Sequence, residues 1–506
     1  MRYKNPVLKG FYPDPSVCYA NGRYYMVCSS FQYFPGVPLF ESSDLVNWNQ
    51  IGHVLTRKDQ VMLDKINSSG GVFAPTIRFD GKRFYMVTTN DTTRQNFYVY
   101  TEDIYGEWSD PVFVDQGGID PSLYFEDGRT YFMSNGTDSL GRSGVIQCEI
   151  NITDGKKLTE SKCIWQGSGG RYLESPHMYK INDYYYLMAA EGGTEYGHMI
   201  TYARGRSVWG DFENYPHNPV LTNRNKAPFI IQGIGHGDLV QDKHGDWHIL
   251  SLGFRQSGMW MPYHHLGREV FLTPVCFDGQ GWFSAGADGT TDEGYEIYGE
   301  FEQNEKKLYT FENTQWNIDW CYLRHPKDSS YELYDDKAVL HGSDITLSDI
   351  DSPTFIGLRQ RDFCGEICCK VRIDSGEAGI ALYMNELEHY DIALRKIGED
   401  IEILLRLNIG GIKHIQETVS LNQTEAELII RMDNMNYSFF VKYDGADRFL
   451  GSAQTKYLSS EVSGGFTGVI IGLYAAGGNT AVFTDFRCES VSYTHLRAHE
   501  TLRHLV

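Results

Sequence analysis

The stretch Gly10-Phe11-Tyr12-Pro13-Asp14-Pro15-Ser16 runs into Val17-Cys18-Tyr19-Ala20, an Asn21-Gly22 pair, and then Arg23-Tyr24-Tyr25-Met26-Val27. Prolines on both sides of Asp14 stiffen its backbone. An Asn-Gly pair between two apolar runs marks a tight hairpin, because its turn needs positive φ at both central residues. The pattern returns at Ala74-Pro75-Thr76, Asp120-Pro121-Ser122 and Ser175-Pro176-His177, and again, without the proline, at His236-Gly237-Asp238. Matching turns follow at Asp80-Gly81, Asp127-Gly128, Asn182-Asp183 and His244-Gly245. The starts at 14, 74, 120, 175 and 236 lie too far apart for lone hairpins and suit four-stranded propeller blades with variable loops. Five such units predict a five-bladed β-propeller over residues 1–290. The first strand of each blade lines the channel, so residues at these strand starts converge although the sequence scatters them.

The chain of 506 residues is long enough for two domains, and long amphipathic helical patterns are hard to find, so it reads as all-β. Aromatics reach 14%, with 34 Tyr, which suits strands and a stacking ligand. The formal charge is −21 and the body of the chain lacks a Lys/Arg cluster, which argues against a nucleic-acid partner. The first residues carry no apolar leader core, and about 18 consecutive apolar residues occur nowhere, so no membrane partner is expected and the expected location is cytoplasmic. A homo-oligomer remains open. The ten cysteines form no dense framework; Cys364, Cys368 and Cys369 cluster without a neighbouring His and read as core or surface thiols rather than a zinc site.

Residues 291–307, in a Gly- and acid-rich region, read as a linker or surface strap. Short alternating runs over 308–490, such as Gly379-Ile380-Ala381-Leu382-Tyr383 and Glu427-Leu428-Ile429-Ile430-Arg431, predict a β-sandwich. The basic, His-rich stretch 491–506 is out of character and reads as a foreign or disordered tail. Tryptophans 48, 108 and 209 each follow a predicted outer strand and are expected to pack between blades.

Three acids fall at or beside the strand starts: Asp14, Asp120 and, one place earlier in its repeat, Glu174. Any one alone is an ordinary turn opener. Together they say more, because the intervening repeat has Ala74 at the position of the two Asp, so the fold does not itself require an acid there. Glycoside hydrolysis needs one carboxylic acid to protonate the leaving oxygen and a second carboxylate to activate water or attack the sugar. His236 also opens an inner strand and reads equally as a satisfied core histidine or a ligand. Arg268, in Leu266-Gly267-Arg268-Glu269, reads as a surface ion pair or a substrate clamp, the residues alone favouring the former.

The ordered set Tyr12-Pro13-Asp14-Pro15-Ser16, Gly71-Val72-Phe73-Ala74-Pro75-Thr76, Ile119-Asp120-Pro121-Ser122, Glu174-Ser175-Pro176-His177, Gly235-His236-Gly237 and Leu266-Gly267-Arg268-Glu269 resembles glycoside hydrolase family 43. Within it the chain is most similar to two-domain β-xylosidases and α-L-arabinofuranosidases. The resemblance implies a propeller followed by a jelly-roll-like sandwich, and hydrolysis with inversion. It implies Asp14 as the base that activates water, Glu174 as the acid, and Asp120 as the residue that orients the acid and raises its pKa. It further implies that Arg268 binds the sugar, that Phe31 and Phe73 wall the first subsite, and that His236 lies near a water-filled centre where a structural calcium is often found; no cofactor is required. Many relatives carry Trp where this chain has Phe73. A deep pocket closed by the second domain implies exo attack on an oligosaccharide substrate.

Two other readings compete. A retaining fructan- or sucrose-cleaving propeller would set its nucleophilic Asp after Asn, whereas Asp14 follows Pro13. A carbohydrate-binding protein with an inactive propeller would not need all three acids.

Overall fold

The computed structural model describes residues 1–258, 260–299, 302–303, 307–311, 316–443 and 445–490; the expected tail at 491–506 lies outside the described residues. Among the described residues the chain forms two compact units. The first is drawn from 1–62, 70–255 and 268–303, the second from 63–69, 256–267 and the chain beyond 303.

The first unit is a five-bladed propeller. Each blade is an antiparallel meander of four strands. Blade 1 consists of Ser16–Ala20, Arg23–Val27, Gly36–Ser42 and Asn49–Leu55; blade 2 of Thr76–Phe79, Phe84–Asn90, Gln95–Thr101 and Val112–Val114. Blade 3 is Ser122–Glu126, Arg129–Thr137, Ser143–Ile150 and Lys162–Trp165; blade 4 is Glu174–Ile181, Tyr184–Glu191, Met199–Gly205 and Glu213–Asn214. Blade 5 is Ile231–Gln241, Trp247–Arg255, Glu269–Phe277 and Phe283–Ala285. The turns behave as their residues dictate: Ala20 pairs with Arg23 and Glu126 with Arg129, with Asn21 (φ 52°), Gly22 (83°), Asp127 (49°) and Gly128 (75°) all left-handed. The five first strands neighbour one another in sequence order, and the last returns to the first, so the ring closes.

The ring is fastened by the start of the chain. Val7 N–H donates to Val270 O (2.8 Å), Val270 N–H to Leu8 O (3.0 Å), and the Tyr3 hydroxyl to Leu272 O (2.8 Å). A second ladder joins Tyr3 N–H to Tyr295 O (2.9 Å), Asn5 N–H to Glu293 O (2.8 Å) and Ile297 N–H to Met1 O (2.8 Å). Residues 291–299, read from the sequence as a linker or surface strap, lie along the propeller as a strap. Apolar layers fill the spaces between blades, as with Tyr85, Val87, Tyr98, Leu123, Phe132 and Cys148 between blades 2 and 3. Trp48 and Trp108 are buried, and Trp209 packs edge-on against Tyr131 between blades 3 and 4.

Polar groups lie inside this ring, where water is scarce and each must find a partner. Asp238 of blade 5 is fully buried. It accepts from Ser16 Oγ (2.7 Å), Val17 N–H (3.0 Å), Arg78 Nη1 and Nη2 (2.7 and 3.1 Å) and the Tyr179 hydroxyl. Arg78 also donates to His177 Nδ1 (2.9 Å), and Ser122 Oγ donates to Pro176 O. One carboxylate thus ties blades 1, 2, 4 and 5 at the level just below the strand starts.

The second unit is a two-sheet sandwich. One sheet runs Tyr331–Leu333, Lys337–His341, Thr480–Ser490, Gly365–Ile373, Glu425–Met432, Asn436–Tyr443, Ala446–Gln454; the other includes Thr354–Arg359, Ile470–Ala476, Glu377–Tyr383, His389–Ile397, Asp400–Ile409 and Ile412–Leu421. Strand 365–373 shows why: Ile367, Cys369, Val371 and Ile373 are buried, while Glu366, Cys368, Lys370 and Arg372 take the other face. Cys368 and Cys369 therefore point apart, as a zinc pair could not. The unit takes in two segments that the sequence places within the propeller. Arg324 Nε donates to Ile66 O (2.7 Å), Val469 N–H to His265 O (2.9 Å), and His264 Nδ1 lies 2.7 Å from Glu461 Oε1.

Removing one partner from a buried ion pair strands the other, at about 3–5 kcal/mol. Asp238→Ala should therefore lower the propeller's unfolding free energy by about that amount in urea denaturation; an unchanged midpoint would remove the Arg78–Asp238 pair from this stabilising role.

Candidate active site

The strand starts do converge, and the backbone there has an unusual shape. Asp14 (φ 58°), Asp120 (54°), Ser175 next to Glu174 (54°), His236 (40°) and Phe31 (50°) are all left-handed. Asp and His tolerate this conformation better than most residues, but Phe does so only when its surroundings hold it there. Ala74, at the equivalent place in blade 2, is not among the left-handed residues. Register shifts flank Glu174 and His236, between Glu174 and His177 and on either side of Gly235, and such bulges re-aim side chains at the mouth of a barrel or channel.

Asp14 is buried and accepts from Ser29 Oγ on Oδ2 and from Arg268 Nη1 on Oδ1 (3.3 Å). Arg268 is buried too, so it is no surface ion pair. Its nitrogen also donates to Thr194 Oγ1 (2.7 Å), and Tyr12 N–H donates to Arg268 O (3.0 Å), which fixes the arginine beside the Asp14 segment. His236 Nδ1 stands 3.5 Å from Asp14 Oδ1 and 3.9 Å from Asp120 Oδ2. Glu174 is half-buried, with its Oε1 3.8 Å from His198 Nε2. Behind the mouth, Glu269 takes a two-pronged bond from Arg255 (2.7 and 2.7 Å) and one from Gly10 N–H (2.9 Å).

These surroundings drive the three carboxyls apart. Burial pushes Asp14 up, but the Arg268 guanidinium, His236 and the Ser29 hydroxyl together outweigh it and hold Asp14 below the usual carboxylate range. Burial and then the charge of Asp14 push Glu174 up to about 7, against the pull of Arg268. Burial, Glu174 and Asp14 push Asp120 well up, so Asp120 and Glu174 titrate as a pair. The sequence reading made Asp120 the source of the Glu174 shift. In the structure the main sources are burial and Asp14. Burial, with help from Arg268, pushes His236 below the usual imidazole range despite Asp14.

Phe31 and Phe73 form one aromatic corner, ring centroids 5.5 Å apart and edge to face. Phe11 stacks behind Phe31 (5.9 Å), and the Arg268 guanidinium lies 5.8 Å from the Phe31 ring centre. Backbone pairing of Phe31 with Val72 (2.9 and 3.1 Å) holds the corner.

Calcium takes six to eight oxygen ligands, and the side chains near His236 supply few of them, so an ion there would be held mainly through water. Asp238 is fully engaged with Arg78, Tyr179 and Ser16, and Asp14 already faces the Arg268 cation. Among the described residues no three His, Cys, Asp or Glu side chains converge as a metal-binding set.

Several participants were missed in the sequence. Ser29, Thr194 and His198 sit in unremarkable strand and loop positions. Arg78, His177, Tyr179 and Asp238 alternate with apolar residues as any strand would. Only the return of a polar residue to the channel face of successive repeats could have signalled them.

The family model for glycosyl hydrolases family 43 matches residues 3–283, and that for the β-xylosidase C-terminal concanavalin A-like domain matches 309–489. The chain is 37% identical to a non-reducing end α-L-arabinofuranosidase of Bacteroides ovatus, over 96% of this chain and 95% of that one. It is 33% identical to a xylosidase/arabinosidase of Butyrivibrio fibrisolvens, over 93% and 95%. A solved family 43 structure from the Bacteroides ovatus xyloglucan locus superposes with a TM-score of 0.91 at 36% identity, covering 97% of this chain and 100% of that one. A xylan β-1,4-xylosidase structure from Bacillus halodurans gives 0.89 at 27%, covering the same shares. With a closed five-bladed ring, its acids gathered at one mouth and a sandwich behind it in sequence, the chain belongs to glycoside hydrolase family 43.

Proposed function

We propose that this chain is an exo-acting, inverting glycosidase that releases terminal β-D-xylose, α-L-arabinofuranose or both from short oligosaccharides. The observation that carries the reading is the separation of proton affinities among the three carboxyls: Asp14 is held ionised while Glu174, close by, is held protonated near neutrality. Asp14 then takes a proton from the attacking water, and Glu174 gives one to the departing glycosidic oxygen, so the anomeric centre inverts. Arg268 and the Phe31–Phe73 corner bind the terminal sugar, and Asp120, which accepts from the Ser175 backbone next to Glu174, keeps the acid's segment in place. Buried acids at the foot of a mouth accept a chain end more readily than a chain middle. Both sugars are named for the relatives, and Phe73 offers a stacking face without an indole donor. Free thiols at Cys18, Cys148 and Cys163, with no dense cysteine framework in the sequence, favour a reducing compartment. The reaction needs no cofactor, and the expectation of a structural calcium gains no support from the donors around His236.

Asp14→Ala should cost about 10²–10⁴-fold on xylobiose and on an activated aryl xyloside alike, because water activation fails for both. Glu174→Ala should spare the activated substrate, which needs little protonation. Equal losses on both substrates in both variants would refute the roles. An aryl β-D-xylopyranoside and an aryl α-L-arabinofuranoside assayed together rank the two sugars.

The pH profile follows from the same groups. The Asp14 carboxylate is present above its lowered pKa, and the Glu174 acid is lost as pH rises through about 7. The kcat/KM for xylobiose should therefore fall on the alkaline side near pH 7; a flat profile to pH 9 would exclude Glu174 as the acid. Proton NMR should show the α anomer first from a β-xyloside. Dialysis against EDTA should leave the rate unchanged; a loss restored by calcium would put an ion in the site after all.

A further inference from the structure

We propose that His198 is a positioning residue for the catalytic proton: its Nε2 accepts the carboxyl hydrogen of Glu174 and fixes which Glu174 oxygen carries it before substrate arrives. The proposal rests on the reading of Glu174 as the general acid.

Four observations carry it. His198 is buried, and its Nε2 has no hydrogen-bond partner among the described residues. Such an orphan is costly, and a native fold keeps one only for a reason. The atom it faces is Glu174 Oε1, 3.8 Å away, and a shift of about 0.8 Å brings the two within ordinary hydrogen-bond reach. The other ring nitrogen, Nδ1, lies 3.3 Å from Gly233 O, which can only accept. Nδ1 therefore carries the hydrogen, and a neutral ring leaves Nε2 as a bare lone pair.

The ring is built into this place. A Cβ at residue 235 would lie 2.2 Å from His198 Nδ1, so only Gly235 lets the ring sit there. The His198 backbone is held by Thr222 Oγ1 donating to its carbonyl (2.7 Å) and by its own N–H donating to Glu195 O (3.0 Å). Burial first, then His236 and Arg268, push His198 down to about 3, so the ring stays an acceptor across the working range.

The other groups around Glu174 cannot take this part. Asp14 is engaged by Arg268, His236 and Ser29; Asp120 is itself pushed up by burial, Glu174 and Asp14; Arg268 only donates. Around His198 stand His236, Arg268, Asp14 and Glu174, and none of them donates to Nε2. When substrate enters, the glycosidic oxygen replaces Nε2 as the partner of the Glu174 O–H. The proton passes to that oxygen as its bond to the anomeric carbon breaks, and His198 neither gains nor loses one. The carboxylate left behind faces a lone pair, which favours its reprotonation.

His198→Leu and His198→Gln in the full chain, on xylobiose and on an activated aryl xyloside, test this. Loss of one hydrogen bond to the protonated acid should move the alkaline limb of kcat/KM down by about one pH unit in His198→Leu. It should also cut kcat on xylobiose about tenfold with KM little changed, and leave the activated substrate within about threefold. His198→Gln, whose amide oxygen can stand near the place of Nε2, should recover most of both. Equal losses on the two substrates with an unmoved limb would mean a purely structural role and overturn the proposal. If His198→Leu does not fold, histidine-labelled wild-type protein decides by ¹⁵N NMR: an Nε2 without hydrogen whose shift follows the alkaline limb and ceases to do so in Glu174→Ala supports the proposal, and a protonated Nε2 refutes it. Failure of the parent reading looks different, since Glu174→Ala would then lose both substrates alike.

Discussion

Asp238 accepts from five donors. Two come from Ser16 and Val17 of blade 1, two from Arg78 of blade 2 and one from Tyr179 of blade 4, while the carboxylate itself sits on blade 5. Strands from separate blades have no backbone ladder between them, so side chains must set their relative height around the channel. Asp238 does so at a fixed remove from the chemistry. Ser16 is two residues from Asp14, and Asp238 itself is two residues from His236. Whatever sets the height of the first pair sets the height of the second. Arg78 reaches His177, three residues from Glu174, and carries the same constraint to the acid.

Above that layer, one guanidinium sorts the charges. Three carboxyls crowded into a buried mouth cannot all ionise. Arg268 stands against Asp14, and burial with that one settled charge holds protons on the other two. The assignment of base and acid thus follows from where a single cation lies. The two-pronged Arg255–Glu269 pair, next in sequence to Arg268, accepts from Gly10 and keeps the arginine strand beside the segment that carries Asp14.

Much of this was legible because propeller repeats leave periodic marks. Turn pairs such as Asn21-Gly22 and Asp127-Gly128 gave the hairpins, and the contrast of Asp14 and Asp120 with Ala74 exposed the acids. The left-handed backbone at Phe31 left no such mark, since Phe does not favour it. Asp238 and Arg78 were hidden because one polar residue in an alternating strand looks solvent-facing until the ring closes. Segments 63–69 and 256–267 were assigned to the propeller because sequence continuity is a poor guide when a loop finds its partners, such as Arg324 for Ile66 or Val469 for His265, hundreds of residues away. Arg268 read as a surface residue for the opposite reason, that charge suggests exposure until a carboxylate is found beside it.

The fastening of the ring bears on how the chain reaches this state. Val7 and Leu8 pair with Val270, and Tyr3 with Tyr295, so these residues find their partners only after nearly three hundred more have been added. On the ribosome the early blades must wait as an open arc with two raw edges, and closing so wide a loop has an entropic cost that local hairpins do not share. Catalytic geometry, which draws on blade 1 and on Arg268 at once, comes into being in that final clasp. An arc that never closes would keep most of its strands and have no active site.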